Sequence, residues 1–168
     1  KEMNLDSKKI IELCNDSTFV KSNVVSGSSL EGYLFPDTYF FYVGDKPASI
    51  LKHLIKMNES FWTRNHLIQS KKLNLSKHQI MTLASIIEGE AIYDSERAKI
   101  SAVYHNRLNI GMRLQADPTI QYIIPDSPRR LLNKDLKIRS PYNTYLNWGL
   151  PPGPINSPGK SSMLAALY

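Results

Sequence analysis

The stretch "VVSGSSLEGYLFPDTYFFYVG", residues 24–44, decides the fold class of this chain. It is rich in aromatic and β-branched residues and is punctuated by Gly27, Gly32 and Pro36. That composition reads as strand, turn, strand. Upstream, within residues 7–20, Ile10, Ile11, Leu13, Cys14 and Phe19 take the spacing of a short amphipathic helix. Downstream, Pro47 opens a helix that carries Ile50, Leu51, Leu54, Ile55 and Phe61 on one side, so residues 47–70 are expected to be mostly helical. Helix, strands and then helices predict an α+β fold, mostly helical, with a small β-sheet and a long ordered proline-rich loop.

Further along, "LSKHQIMTLASIIEGEA" (75–91) carries a strong helix start. Ser76 can cap it while Gln79 reaches back, a capping box. Ile80, Leu83, Ala84, Ile87 and Ala91 then line one stripe. Gly89 costs about 1 kcal/mol relative to alanine inside a helix, so this one is expected to end or bend near Glu88 and Glu90. A next helix starts near Asp94 or Ser95 and stops at Gly111. "MRLQADPTIQYIIPD" (112–126) reads as extended, although Pro118 bars a central strand at its own position. The remainder, "SPYNTYLNWGLPPGPINSPGK" (140–160), is proline-rich and reads as ordered loop.

The 168 residues amount to one ordinary domain, or one with a small appendage. With 42% hydrophobic residues a packed core is expected. The formal charge of +6 favours an anionic partner, but the basic residues are scattered along the chain and no RNA- or DNA-binding motif accompanies them. Nucleic acid is therefore not an expected partner. A lone cysteine, Cys14, excludes an internal disulfide framework. His53, His66, His78 and His105 show no HExxH or paired Cys/His spacing, so neither a metal nor a cofactor is expected. "GSSLEG" lacks the GxSxG of a nucleophile elbow. No window approaches a membrane span and no signal peptide begins at Lys1. The chain opens and closes inside what read as helices, the pattern of a piece of a longer protein.

Two features carry chemistry. Glu88 and Glu90 fall on opposite edges of the apolar stripe, each roughly 80° from its centre at about 100° per residue, so periodicity does not choose between them. At a partly buried rim, either carboxyl could stay protonated and serve as a general acid; in open water, both would simply flank the helix. The proline-rich end holds Tyr142, Tyr145, Leu146, Trp148 and Leu150 together with Asn143, Asn147 and Asn156. Aromatic faces that stack on C–H surfaces, alternating with amides that bind hydroxyls, suit a carbohydrate wall. The same aromatics could equally staple the loop to the core.

Four blocks together, "SLEGYLFPDTYFF" (29–41), "LASIIEGEA" (83–91), "ERAKISAVYHNRLNIGMRLQADPTIQY" (96–122) and "SPYNTYLNWGLPPGPINSPGKSSMLAAL" (140–167), resemble the YceG-like endolytic murein transglycosylase family (MltG). The blocks occur in the family's order over about half the chain. The resemblance implies a bacterial envelope enzyme that cuts peptidoglycan strands between N-acetylmuramic acid and N-acetylglucosamine and leaves 1,6-anhydro-muramic ends. It also implies that Glu88, the first glutamate of an E-x-E pattern, is general acid and then base. Gln115, Asp117, Tyr142, Asn143 and Tyr145 are implied substrate-binding residues, as are Glu31 and Tyr33, with Glu90 in a supporting part. Relatives often carry "EKET" where this chain has "EGEA". The family further implies that residues 1–28 are the tail of a LysM-like region and 29–168 the catalytic domain. It implies a single-pass membrane anchor preceding them, an extracytoplasmic catalytic domain and peptidoglycan synthases as partners. A hydrolase using water and a silent glycan-binding module are the rival expectations.

Overall fold

The computed structural model describes residues 6–23 and 26–168. Its organising element is α5 (Lys77–Glu90), in which every residue from Ile80 to Ile87 is buried. A helix buried on all sides must be wrapped by its neighbours. The two polar residues on that stretch keep their hydroxyls satisfied. Thr82 Oγ1 donates to His78 O at 2.8 Å, and Ser85 Oγ donates to Thr82 O at 2.8 Å while accepting from Ile155 N at 3.0 Å. The helix starts on the expected capping box: Ser76 Oγ accepts from Gln79 N at 3.2 Å and Gln79 Oε1 from Ser76 N at 2.8 Å.

Around α5 pack α4 (Arg64–Lys72), α6 (Arg97–Asn109), α7 (Asp117–Ile123) and α8 (Lys160–Leu167). A second group, α1 (Ser7–Asn15), α2 (Ser17–Ser22) and α3 (Pro47–Phe61), joins the same core through Val20, Leu51, Ile55 and Phe61. Asp16 separates α1 from α2, its side chain accepting from Phe19 N at 2.6 Å. Thr63 separates α3 from α4, its Oγ1 accepting from His66 N at 3.3 Å. Helix α6 stops before Gly111 as expected, where φ is +65°. Residues 1–5 and 24–25 of the expected LysM-like tail lie outside the described residues.

The expected small β-sheet is not there: the described residues contain helices, turns and irregular chain, and no strand. The fold is all-helical, not α+β. Among the described residues no extended segment lies alongside 26–44 to complete a ladder, and its backbone bonds are turns and one bond back to α1. Leu30 N donates to Cys14 O at 2.9 Å, Tyr33 N to Leu30 O at 3.0 Å and Asp45 N to Tyr42 O at 3.1 Å. Of the aromatics that suggested strands, Phe40 and Tyr42 are exposed, and two others pack against a helix instead. Tyr39 and Phe41 meet His53 of α3 edge-on, with centroids 5.8 and 5.6 Å apart. Residues 24–25 of that stretch are not described.

The extended reading of 112–126 also fails at 117–123, which is α7. Pro118 sits at the start of this helix, where its missing N–H costs nothing and its fixed φ suits the first turn. The proline-rich segment is the ordered loop expected. Pro151, Gly153, Pro154 and Ile155 are buried in it. Pro154 lies on Gly32 so closely that a Cβ there would be 2.4 Å from Pro154 Cγ, and Gly32 also takes a φ of +80°. No described helix is long and apolar enough to cross a membrane.

Candidate active site

The two glutamates leave the end of α5 on different sides. Glu88 Oε1 accepts from Arg97 Nη2 at 3.3 Å, and Glu88 Oε2 accepts from Gly159 N at 3.0 Å. Gly159 precedes α8, so this N–H has no partner within the helix and donates at a helix start, where negative charge is favoured. Arg97 is fixed in turn by Asp94 Oδ1 at 2.8 Å and Ser162 Oγ at 2.5 Å. Its side chain is 13% exposed, that of Glu88 31%. Glu88 is thus an oriented carboxyl group, reachable from solvent, at the seam of α5, α6, α8 and the proline-rich loop.

Glu90 faces the other way. Its Oε2 accepts from Tyr104 Oη at 3.5 Å. Partial burial pushes its carboxyl above the ordinary value and the charge of Asp117 adds to this; the Tyr104 hydroxyl and Arg107 pull weakly back. Asp117 accepts from Tyr145 Oη at 2.5 Å. Desolvation first, then this bond to Asp117, push the Tyr145 phenol up to about 12. Glu90 and Asp117 border a cleft of about 660 Å³ that Gly89, Tyr122 and Asn156 also line. A Cβ on Gly89 would lie 2.8 Å from Pro118 Cβ, so only glycine lets α7 approach α5 this closely. That close approach is the structural reason for a glycine between the carboxylates.

The other expected residues fall into distinct places. Gln115 borders a second cavity, of about 260 Å³, shared with Glu90, Tyr104 and Arg107. It sits at a φ of +50°, held by its N–H donating to Thr144 O at 3.1 Å. Asn143 is fully buried. Its Nδ2 donates to Leu136 O at 3.1 Å and Ile138 O at 2.7 Å, and its Oδ1 accepts from Tyr145 N at 2.9 Å. Tyr142, Glu31 and His78 border a small pocket of about 50 Å³. Tyr142 also packs on Tyr122 with centroids 4.9 Å apart, which links this pocket to the larger cleft. Partial burial pushes the Glu31 carboxyl up. Tyr33 is buried; its Oη accepts from Ser26 N at 3.2 Å and is 2.7 Å from His78 Nδ1. His78 Nε2 must donate to Pro152 O at 2.8 Å, and in the neutral ring Nδ1 then accepts from the tyrosine. This chain of bonds ties the 26–33 segment to the proline-rich loop.

Sequence reading missed Arg97 and Tyr104. A signal existed for the first: a short turn at 91–93 reverses the chain, and a basic residue soon after it can swing back beside Glu88. Among the described residues no group of three or more His, Cys, Asp or Glu side chains could hold a metal ion.

The YceG-like family model matches residues 3–168, nearly the whole chain. A protein of Bacillus subtilis (strain 168) named endolytic murein transglycosylase is 41% identical over 182 aligned residues, covering 99% of this chain and 50% of that one. One of the same name from Streptococcus pneumoniae serotype 2 is 33% identical, covering 82% of this chain and 26% of its own. The 2.6 Å crystal structure of a YceG-like protein from Listeria monocytogenes superposes with a TM-score of 0.86 at 36% identity, over 98% of this chain and 59% of the other. The chain belongs to the YceG-like family. It spans half or less of the length of these curated relatives.

Proposed function

We propose that this chain is the catalytic portion of an endolytic murein transglycosylase, cleaving peptidoglycan between N-acetylmuramic acid and N-acetylglucosamine, with Glu88 as acid and then base. The observation that carries the reading is the setting of Glu88, a part-exposed carboxyl group held between the Arg97 guanidinium and the Gly159 N–H at the end of α5, next in sequence to Gly89 and Glu90, which border the cleft that Glu88 itself does not line. The relatives' names point to the same substrate.

One carboxyl suffices for this reaction. Glu88 donates its proton to the glycosidic oxygen as the bond to the muramic C1 breaks; the muramic C6 hydroxyl closes on C1 and returns its proton to Glu88. No water enters, and the attacking hydroxyl is already part of the substrate, which confers the proximity advantage. Once Glu88 has given up its proton, the Arg97 guanidinium and the Gly159 N–H hold the resulting carboxylate. Asp117, Gln115 and Tyr142 border the cleft or its neighbouring cavities and position the strand, with Glu31 beside Tyr142, and Tyr145 orients Asp117 through its hydroxyl. Asn143 and Tyr33 serve by holding the loop that presents them.

In the longer protein, an N-terminal membrane anchor would place this domain on the extracytoplasmic side, near peptidoglycan synthases. The net charge of +6 suits work beside anionic lipid and an anionic polymer. Mass spectrometry of digested glycan strands is the test. Anhydro-muramic ends support the reading, reducing ends would make the protein a hydrolase, and intact strands would leave only a glycan-binding module.

A further inference from the structure

The basic residues are scattered along the sequence, yet their densest run adjoins the cleft. Residues 126–139 carry five cations, Arg129, Arg130, Lys134, Lys137 and Arg139, against two carboxylates, Asp126 and Asp135, which is half of the chain's net +6. Asp135 is buried and engaged by Arg129, whose Nη1 and Nη2 donate to it at 2.8 and 2.9 Å. Arg130, Lys134, Lys137 and Arg139 are exposed, and none makes an ion pair among the described residues.

The run is braced at both ends. Gln121 of α7 holds its start: Nε2 donates to Arg129 O at 2.5 Å, and Oε1 accepts from Arg129 N at 3.2 Å. Asn143 holds its far end, Nδ2 donating to Leu136 O and Ile138 O at 3.1 and 2.7 Å. Four cations on a fixed frame bind an anion at a lower ordering cost than four on a loose loop. Gln121, Ser127 and Pro128 line the cleft, and the run leaves from Pro128. Inside the cleft the charged groups are Glu90 and Asp117, with no lysine, arginine or histidine among the described residues.

We infer that the run 130–139 binds the carboxylates of the stem peptide hanging from a muramic sugar of the strand, outside the cleft. The inference rests on the glycan-cleaving reading above and assigns the part of the substrate left over there. In an intact strand the lactyl acid is tied up in its amide to the peptide, so the sugars are neutral and the peptides carry the negative charge. Glu90 and Asp117 repel that charge from the cleft, and the run beside it attracts it. Exposed charge pairs are individually weak, so the effect falls on capture of the strand and not on the chemical step. Anionic lipid would suit the same cations, but a bilayer seated there would lie against the cleft wall at Ser127 and Pro128.

The test compares uncrosslinked strands with the same strands after their peptide carboxylates are converted to amides, which removes charge and preserves size. Formation of anhydro ends is followed for wild type and for a variant combining Arg130→Gln, Lys134→Gln and Lys137→Gln, with folding checked by thermal melting. Wild type is expected to show a KM about three- to ten-fold higher on amidated strands with kcat unchanged, and the variant to show that raised KM on both. Raising salt from about 0.05 M to about 0.5 M is expected to shrink the wild-type difference. A wild type indifferent to amidation, or a variant impaired by the same factor on both strands, overturns the inference. So does a variant that keeps the wild-type preference but loses affinity for phosphatidylglycerol vesicles, which gives the run to the membrane. Should the variant fail to fold, the wild-type comparison and its salt dependence decide alone. If neither strand yields anhydro ends, the cleavage reading fails, and calorimetric binding of the two strands decides this inference separately.

Discussion

Arg97 Nη2 lies 3.3 Å from Glu88 Oε1, across the turn that joins α5 to α6, while the same guanidinium reaches Asp94 and Ser162. One side chain therefore ties together the end of α5, the start of α6 and the start of α8. Replacement by alanine leaves Ser162 and part of the Glu88 carboxylate without a donor. Because Glu88 is about one-third exposed, water replaces some of what is lost. Arg97→Ala is expected to cost about 1–2 kcal/mol in urea unfolding. Lysine, lacking the fork, is expected to restore only part of it.

Glu88→Gln keeps the shape and removes the transferable proton. Loss of a general acid is worth about 10²–10⁴ in rate, so anhydro products should fall by that factor while affinity for the strands stays within about two-fold. A Glu88→Gln protein that still cuts strands at the wild-type rate would remove Glu88 from the reaction.

Glu90 makes a pH prediction. Its folded-state value lies above the unfolded one, chiefly from burial and then from Asp117. Its contribution to stability is therefore complete below the unfolded carboxyl value and is lost as pH rises through the folded one. Glu90→Gln abolishes that loss. Thermal melts should show the variant gaining on wild type as pH rises above the ordinary carboxyl value, with the difference closing at the acid end.

Asp135 titrates with the opposite sign. Two bonds from Arg129, at 2.8 and 2.9 Å, and one from Leu132 N at 2.8 Å hold its carboxyl down at about 2. Stability from this site is present above the unfolded carboxyl value and is lost as pH falls through about 2. The Asp135 side-chain NMR titration should have its midpoint near there, and Asp135→Asn should be less stable than wild type at pH 7 and no worse at pH 2.

Asn143 separates loop order from sugar contact. Its truncation strands two carbonyls and one N–H in a buried site. Asn143→Ala is expected to destabilise by about 2–4 kcal/mol, since each stranded group carries its own desolvation cost. A variant of unchanged melting temperature but weakened sugar binding would instead make Asn143 a direct ligand.

Gly89→Ala pits two effects against each other. Alanine gains about 1 kcal/mol of helix propensity, and overpacking costs about 1–3 kcal/mol. The atom it meets, Pro118 Cβ at 2.8 Å, belongs to a rigid ring, so the clash prevails. Product formation should drop more than stability does, because α7 carries Asp117 and must move away from α5.

Much of this protein was legible in one dimension because the signals were local. The Ser76–Gln79 cap, the buried run after it and the stop at Gly111 follow from residues three or four apart, whose interactions exist as soon as one helical turn forms. The four family blocks likewise identified the chain without any fold. What the chain order could not reveal was partnership at a distance. Whether 26–44 forms strands depends on a neighbour to pair with, and the described residues offer none; Tyr39 and Phe41 pack against α3 instead, while Phe40 and Tyr42 face solvent. Asp117–Pro118 starts a helix because Thr144, far along the chain, pins Gln115 and Ala116 just before it. The two glutamates look equivalent on a helical wheel. Only the packing of α6, α7, α8 and the proline-rich loop around one helix end gives Glu88 an arginine and a backbone N–H, and Glu90 a second carboxylate and a cleft.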